Sequence, residues 1–573
     1  MSRRRRFHRY LLIAIALLGA GGLASALIAQ GTVAAPSGQH RASAQASAAT
    51  RARLTKALVG SLRRRGFQVN PGYPMLLAKD AVATCRNYTF PALNSCLGLN
   101  PAAPYVVTVV KSWPHEYVNP ATVNMFGPVR PGYSTTYRLD PREAIVIYGQ
   151  MPPPGLYMGL QTWEWSQRGH WKAKDYNTWA HNPRQPFPMS LMFSTMPPTD
   201  PTSGRVFSFS ALGDIINNVV MQRQSGDPFG KNRYFIITPS ATTDHAVRRA
   251  LQAQGVPGSY IFTEQIPSRD KFGPIGPLGM GKNAIDFNTW FRYAVPASPD
   301  AADAWRSQLP LTVLRVRAPA SVGPVKRYGA LILDKHTAHS EAYLAGDLQK
   351  LVNAVCDRTS SAVHLNSTDC AQPPPASSVM VDIVRELDNG DWRGPYCRHI
   401  NMNCDGDNPD SAFFYSNPRP LDSRQVYAVL GTLATQTGNA TYGGLSVNDA
   451  ASLFTPSNLL DTNLKGSADG YANTVKNTGK FFVHYYTRDC GVLGPLLGKD
   501  KLAQDCTSIT TEMVPKQGDP TALGDPALQG MFQLGIRDYI VPGTARGADT
   551  SKLLRPRILM FHPLAGFQGG GPD

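Results

Sequence analysis

From residue 71 onward the apolar positions come in short β-branched and aromatic runs broken by Pro, Gly and Asn, the texture of a strand-rich chain. The runs at 105–110, 144–148, 157–163 and 205–209 predict strands. The pattern then changes. A buried-type run at 233–238 precedes a helical segment at 244–254 with Ala246, Val247, Ala250 and Leu251 on one face, and a second run follows at 260–264. That order predicts a βαβ unit, with Asp244 as the helix cap. Strands return at 290–295 and 311–316. Leu344, Leu348, Leu351 and Val352 predict a helix over 340–355, followed by the Pro-rich stretch at 373–375. Further strands are expected at 426–430, 441–447, 481–487, 530–540 and 557–561.

The N-terminal pattern is different. Arg3, Arg4, Arg5, Arg6 and Arg9 precede an uncharged run over residues 10–29, the arrangement of an export signal. Arg4-Arg5-Arg6-Phe7 fits the core of a twin-arginine signal of a bacterial protein, and Ala24-Ser25-Ala26 offers a cleavage site. The run is also about the ~20 residues that span a bilayer, so residues 1–29 read as a signal peptide or a membrane anchor. Residues 30–50, rich in Ala, Ser, Gly, Thr and Gln, read as a linker, with a short basic amphipathic helix completing the stretch 30–66. The expected organisation beyond is a first β-rich lobe over 67–325 and a second over 326–573.

An internal repeat joins the two lobes. Asp140-Pro-Arg142 leads through Gly149 to Tyr157, Gly159 and Leu160, and Asp422-Ser-Arg424 leads through Gly431 to Tyr442, Gly444 and Leu445. Each copy predicts a strand, a loop and a second strand, as in a hairpin of a β-sandwich. The fold class is therefore α+β, predominantly β: two β-sandwich-like lobes from a duplication, with the βαβ-like segment in the first half. The segment 149–163 (Gly-Gln-Met-Pro-Pro-Pro-Gly-Leu-Tyr-Met-Gly-Leu-Gln-Thr-Trp) resembles the strand, Pro-rich turn and aromatic strand of uncharacterised exported bacterial β-sandwich proteins, as does the loop Gly406-Asp407-Asn408-Pro409-Asp410. That resemblance implies a fold and carries no activity.

Charge and cysteines refine the picture. The formal charge is +17 over 573 residues, but twelve Lys and Arg lie before Phe67 with no Asp or Glu among them, leaving about +5 for the rest. No basic stripe interleaved with aromatics remains for nucleic acid, and membrane contact is expected only through the N-terminal segment. Eight cysteines in an exported chain imply disulfides. Pairing of sequence neighbours predicts Cys85–Cys96, Cys356–Cys370, Cys397–Cys404 and Cys490–Cys506. The tight Cys-x₂₋₄-Cys spacing of a zinc site is absent from the sequence.

Candidate chemistry is sparse. Asp405, Asp407, Asn408 and Asp410 alternate oxygen ligands in a tight turn, which suits a hard cation such as Ca²⁺, although an EF-hand's final Glu is missing. An Asx-rich turn is the competing reading. Trp163, Glu164, Trp165 and Trp171 put flat aromatic faces beside a carboxylate, a pattern suited to a carbohydrate or a small apolar ligand. Alternation places Trp163 and Trp165 on one face of a strand and Glu164 on the other, and an aromatic core is the plainer alternative. His336, His339 and Glu341 form the one dense histidine cluster, read as solvated residues ahead of the helix at 340–355. There is no Gly-x-Ser-x-Gly elbow and no His-Glu-x-x-His. Two classes survive: an exported binding or envelope-associated protein, and a secreted hydrolase whose site is assembled from scattered loop carboxylates.

Overall fold

The computed structural model describes residues 38–77, 81–169, 204–382, 393–401 and 408–563. Helix α1 (Gly38–Arg64) opens the described chain. It begins inside the stretch expected to be a linker, because that stretch is rich in Ala, the strongest helix former. Leu54, Leu58 and Leu62 share one face and pack against the first lobe.

The first lobe is a mostly antiparallel sheet of β1 (Gln68–Leu76), β2 (Tyr105–Lys111), β3 (Glu143–Gln150), β4 (Gly155–Arg168), β5 (Asn232–Thr238), β6 (Ile261–Gln265), β7 (Asp286–Pro296) and β8 (Leu311–Arg317). Their order is β6-β5-β3-β8-β1-β2-β7-β4, curled into a half-barrel. The βαβ unit forms as the pattern predicts: β5 and β6 pair in parallel across α2 (Ala241–Gln252). Its cap is Ser240, whose side chain accepts from the Thr243 N–H, not Asp244. Asp244 sits one turn in, where it pairs with Arg248 at 3.7 Å.

The second lobe follows α3 (Ala345–Val363) and contains β9 (Leu365–Asn366), β10 (Val381–Asp382), β11 (Ser411–Tyr415), β12 (Val426–Thr432), β13 (Tyr442–Asp449), β14 (Phe481–Thr487), β15 (Cys506–Ser508), β16 (Met531–Tyr539) and β17 (Arg557–Pro563). Two sheets run β15-β14-β12-β17-β9 and β10-β11-β16-β13.

The strand pairings carry the duplication. β6–β5, β5–β3, β3–β8, β8–β1, β1–β2, β2–β7 and β7–β4 in the first lobe recur as β15–β14, β14–β12, β12–β17, β17–β9, β10–β11, β11–β16 and β16–β13 in the second. In each set only the first pairing is parallel. The role of the long β1 is shared by the short β9 and β10, which is why the second lobe has two sheets. Register agrees as well. Gly159 lies opposite Arg292 and Gly444 opposite Arg537, while Val146 lies opposite Leu314 and Ala428 opposite Leu559. The last two strands are therefore spaced identically along the chain in both lobes. The repeated glycines mark close approaches: a Cβ on Gly149 would lie 2.1 Å from the Pro310 carbonyl oxygen, and one on Gly431 3.1 Å from Pro556 Cβ.

The hairpin expectation is corrected. β3 and β4 do not pair with each other, nor do β12 and β13: β8, β1, β2 and β7 lie between the first two, and the second two belong to different sheets. Local turn residues signal a reversal of direction, but partner choice here is set by long-range pairing.

Helices cover equivalent faces. α1 and α2 bury Leu58, Leu62, Ala246 and Val247 against the first sheet. α3 and the short α5 (Gly494–Leu497) bury Leu348, Leu351 and Leu496 against the second lobe. Three disulfides join the expected partners, Cys85–Cys96, Cys356–Cys370 and Cys490–Cys506. The second ties α3 to the turn beyond β9, and the third closes the excursion through α5 and α6 (Lys499–Asp505) between β14 and β15. The Cys397–Cys404 pairing lies outside the described residues.

Candidate functional site

β4 presents its two faces to different environments, as strand alternation requires. On one face Trp163 and Trp165 are 2% and 0% exposed, enclosed with Trp290, Phe126, Phe207 and Phe209. Ring centroids lie 4.8 Å apart for Trp163–Trp290 and 4.4 Å for Trp165–Phe207. These tryptophans are core. Trp171 lies outside the described residues.

The other face carries Thr162, Glu164 and Ser166, successive members of one row roughly 6.6 Å apart. Thr162 and Ser166 are each tied to a buried carboxyl group. The Thr162 N–H and hydroxyl donate to Glu264 at 2.5 and 2.6 Å. The Ser166 N–H and hydroxyl donate to Asp286 at 2.8 and 2.6 Å. Glu164 stands between them, 0% exposed, and its Oε2 meets Arg398 Nη1 at 3.5 Å. The other oxygen, Oε1, has no hydrogen-bond partner among the described residues.

Cations close the row. Arg398 also pairs with Asp270, while Arg205 and Arg138 lie 3.5 and 3.7 Å from Asp286. Arg398 arrives from far along the chain on α4 (Arg393–Ile400). Gln167 Nε2 holds that helix to the end of β4, donating to the Arg398 carbonyl at 2.7 Å, and the Phe272 and His399 rings stack at 4.9 Å. A hydroxyl chain extends the row at the Glu264 end. Thr162 Oγ1 lies 2.7 Å from Thr289 Oγ1, which lies 2.5 Å from the Tyr137 hydroxyl.

Burial dominates the electrostatics. It raises Glu164 to about 7, with Arg398 opposing and the Asp286 charge adding to the rise. It also raises Glu264 to about 7 against the two Thr162 hydrogen bonds. Both carboxyl groups therefore change protonation near neutrality, where a group can donate or accept a proton.

The second lobe supplies an internal comparison. Register makes Thr162 and Thr289 equivalent to Val447 and Leu534, and Glu264 equivalent to Thr507. Glu164 corresponds to Asp449, which accepts from both the N–H and the hydroxyl of Ser452. The same topology thus forms with Val, Leu and Thr where the first lobe has Thr, Thr and Glu. The polar row is not demanded by the fold. On the reverse face Trp163, Trp165 and Trp290 correspond to Asn448, Ala450 and Gly535.

Asp405 and Asp407 lie outside the described residues. Asn408 donates from Nδ2 to Ser411 Oγ at 2.8 Å. Asp410 is buried where the lobes meet: it accepts from the Tyr157 hydroxyl at 2.7 Å and lies 3.5 Å from Arg292. Burial raises its pKa, with Arg292 opposing. Tyr157 and its repeat equivalent Tyr442 both pack on Tyr539, at 5.3 and 4.5 Å between centroids. Among the described residues no group of three or more His, Cys, Asp or Glu could hold a metal ion.

The histidine cluster is not helical. His336 Nδ1 lies 2.8 Å from the Gly547 carbonyl oxygen. Glu341, expected to be solvated, is 1% exposed and accepts from Thr432, Thr437, Asn439 and the Leu554 N–H. Sequence reasoning found Glu164 but missed Glu264, Asp286, Asp270 and Arg398. Their only signal was a charged residue inside an otherwise apolar strand, as at Glu264.

No family model matches the chain, and no curated protein matches it. Two solved structures resemble it over most of its length. An uncharacterised protein from Burkholderia cenocepacia is 9% identical with a TM-score of 0.34, over 93% of this chain and 92% of that one. The VPA0106 protein from Vibrio parahaemolyticus is 10% identical with a TM-score of 0.31, over 84% of this chain and 93% of that one.

Proposed function

We propose that this is an exported, extracytoplasmic ligand-binding protein whose first lobe holds a hydroxyl-rich ligand of the carbohydrate class against Glu164 and Arg398. The observation that carries the reading is the fully buried Glu164 Oε1, without a partner among the described residues, in a row whose Thr162, Thr289 and Glu264 the second lobe replaces while keeping a carboxyl at Asp449. A buried carboxylate oxygen without a partner costs about 1–3 kcal/mol or more, so a ligand hydroxyl donating to it recovers that loss. Export is supported by the arginine-flagged apolar leader and by the disulfides, which persist in oxidising compartments. Among the described residues no helix is long and apolar enough to cross a membrane.

A hydrolase is the second reading, favoured by one observation: Glu164 and Asp270 share the Arg398 guanidinium, and Glu164 titrates near 7. Calorimetric titration with a panel of neutral mono- and oligosaccharides tests both. Binding that Glu164→Gln abolishes, without ligand turnover, is the expected result. Turnover lost in Glu164→Gln while binding persists would transfer the site to the hydrolase reading. Undiminished binding in the variant would remove Glu164 from the site. Ligand should also slow amide exchange in α4, which carries Arg398.

A further inference from the structure

We infer that the outer face of α1 is a docking surface for anionic lipid headgroups. Arg53, Lys56, Arg63 and Arg64 are all exposed and, with Gly60 between them, form one stripe at helical spacing. Leu58 and Leu62 lie on the opposite side, buried against the sheet, with half-buried Leu54 packed beside them. The stripe therefore faces away from the sheet, and Arg63 at its end also donates to the Val69 carbonyl at 3.4 Å. No Asp or Glu occurs anywhere in Gly38–Arg64. The neighbouring α2 adds exposed Arg249, and its one carboxylate, Asp244, is paired with Arg248.

The duplication shows that this charge is not structural. α3 fills the same slot in the second lobe, and it carries Asp347 and Asp357 against Lys350 and Arg358. The adjoining α6 carries Lys499 and Lys501 against Asp500 and Asp505. One topology, two copies, and the excess positive charge on only one.

The chain supplies the occupant. The copy with the excess follows the apolar run at 10–29 and its five flanking arginines, a segment suited to meeting a bilayer. A basic helix that follows such a segment in the chain can reach headgroups, and stable membrane association generally takes two such signals. Each Lys or Arg near an anionic surface strengthens binding about fivefold. The inference is independent of the Glu164 site.

The test is flotation of the full-length protein with vesicles of phosphatidylcholine, alone or mixed with phosphatidylglycerol. The expected result is preference for the anionic vesicles that weakens with salt, reduced by up to about six hundredfold by the variant R53Q/K56Q/R63Q/R64Q. A matching variant in the second lobe, K350Q/K499Q/K501Q, should leave the preference intact. Thermal melts establish that both variants fold. Equal partitioning of the native protein to both vesicle types would overturn the inference. So would an undiminished preference in the α1 variant, or binding to an oligonucleotide in place of vesicles.

Discussion

Burial favours the protonated form of Glu164 and Glu264, and this gives stability an uncommon dependence on pH. Both are raised from 4.5 to about 7. Between those values the folded protein holds protons that the unfolded chain has released. Stability from these groups is therefore greatest at the acid end and declines as pH rises through 7, by on the order of 3 kcal/mol for each group. Urea midpoints measured across that range should fall with pH, and Glu264→Gln should flatten the decline. Arg398→Met should destabilise the protein by about 3–5 kcal/mol, since Glu164 and Asp270 lose their shared cation. The loss should be larger above pH 7, where Glu164 must ionise unaided, and denaturant titrations at two pH values would show it. At this scale the alternation of Trp163, Glu164 and Trp165 was readable from the sequence, because strand geometry alone decides it. What encloses each face was not, because Phe207, Trp290 and Arg398 come from distant segments.

At the scale of elements, periodicity carried most of the information. The strand expected at 481–487 is Phe481–Thr487, and the βαβ segment forms with parallel pairing. Short cysteine spacing likewise anticipated three disulfides, since a local loop closes more readily than a distant one. Removing the staple between α3 and the turn beyond β9, as Cys356→Ser with Cys370→Ser, should cost about 3 kcal/mol, read from the denaturation midpoint. Partner choice was less accessible. The repeat motif was real, yet its two strands do not form a hairpin. In the first lobe the strands between them come from upstream (β1 and β2) and from far downstream (β7 and β8), and no turn signal reports that.

Across the whole molecule, the lobes are held by groups that burial makes interdependent. Asp410 is 0% exposed, and Arg292 and Tyr157 are its partners across the junction. Arg292→Met should destabilise the protein by about 3–5 kcal/mol by leaving Asp410 buried without its cation. If the junction couples the lobes, the variant should unfold in two calorimetric transitions where the native protein shows one, and a single unchanged transition would separate the junction from cooperativity. Residues Arg51–Asp573 form one compact unit, as such coupling requires.

The sequence by itself determined the β-rich texture, the βαβ unit, three local disulfides, the duplication and the two-faced strand around Glu164. Each is a matter of period or short spacing, set by backbone geometry within a few residues. Tertiary structure alone decided which strands pair, that Trp163 and Trp165 lie in a core, and that Asp410 faces Arg292. It also decided that four carboxyl groups and three guanidiniums come together in one buried cluster. Those outcomes depend on contacts between residues far apart in the chain, where burial fixes charge state and partner and leaves no local pattern to read.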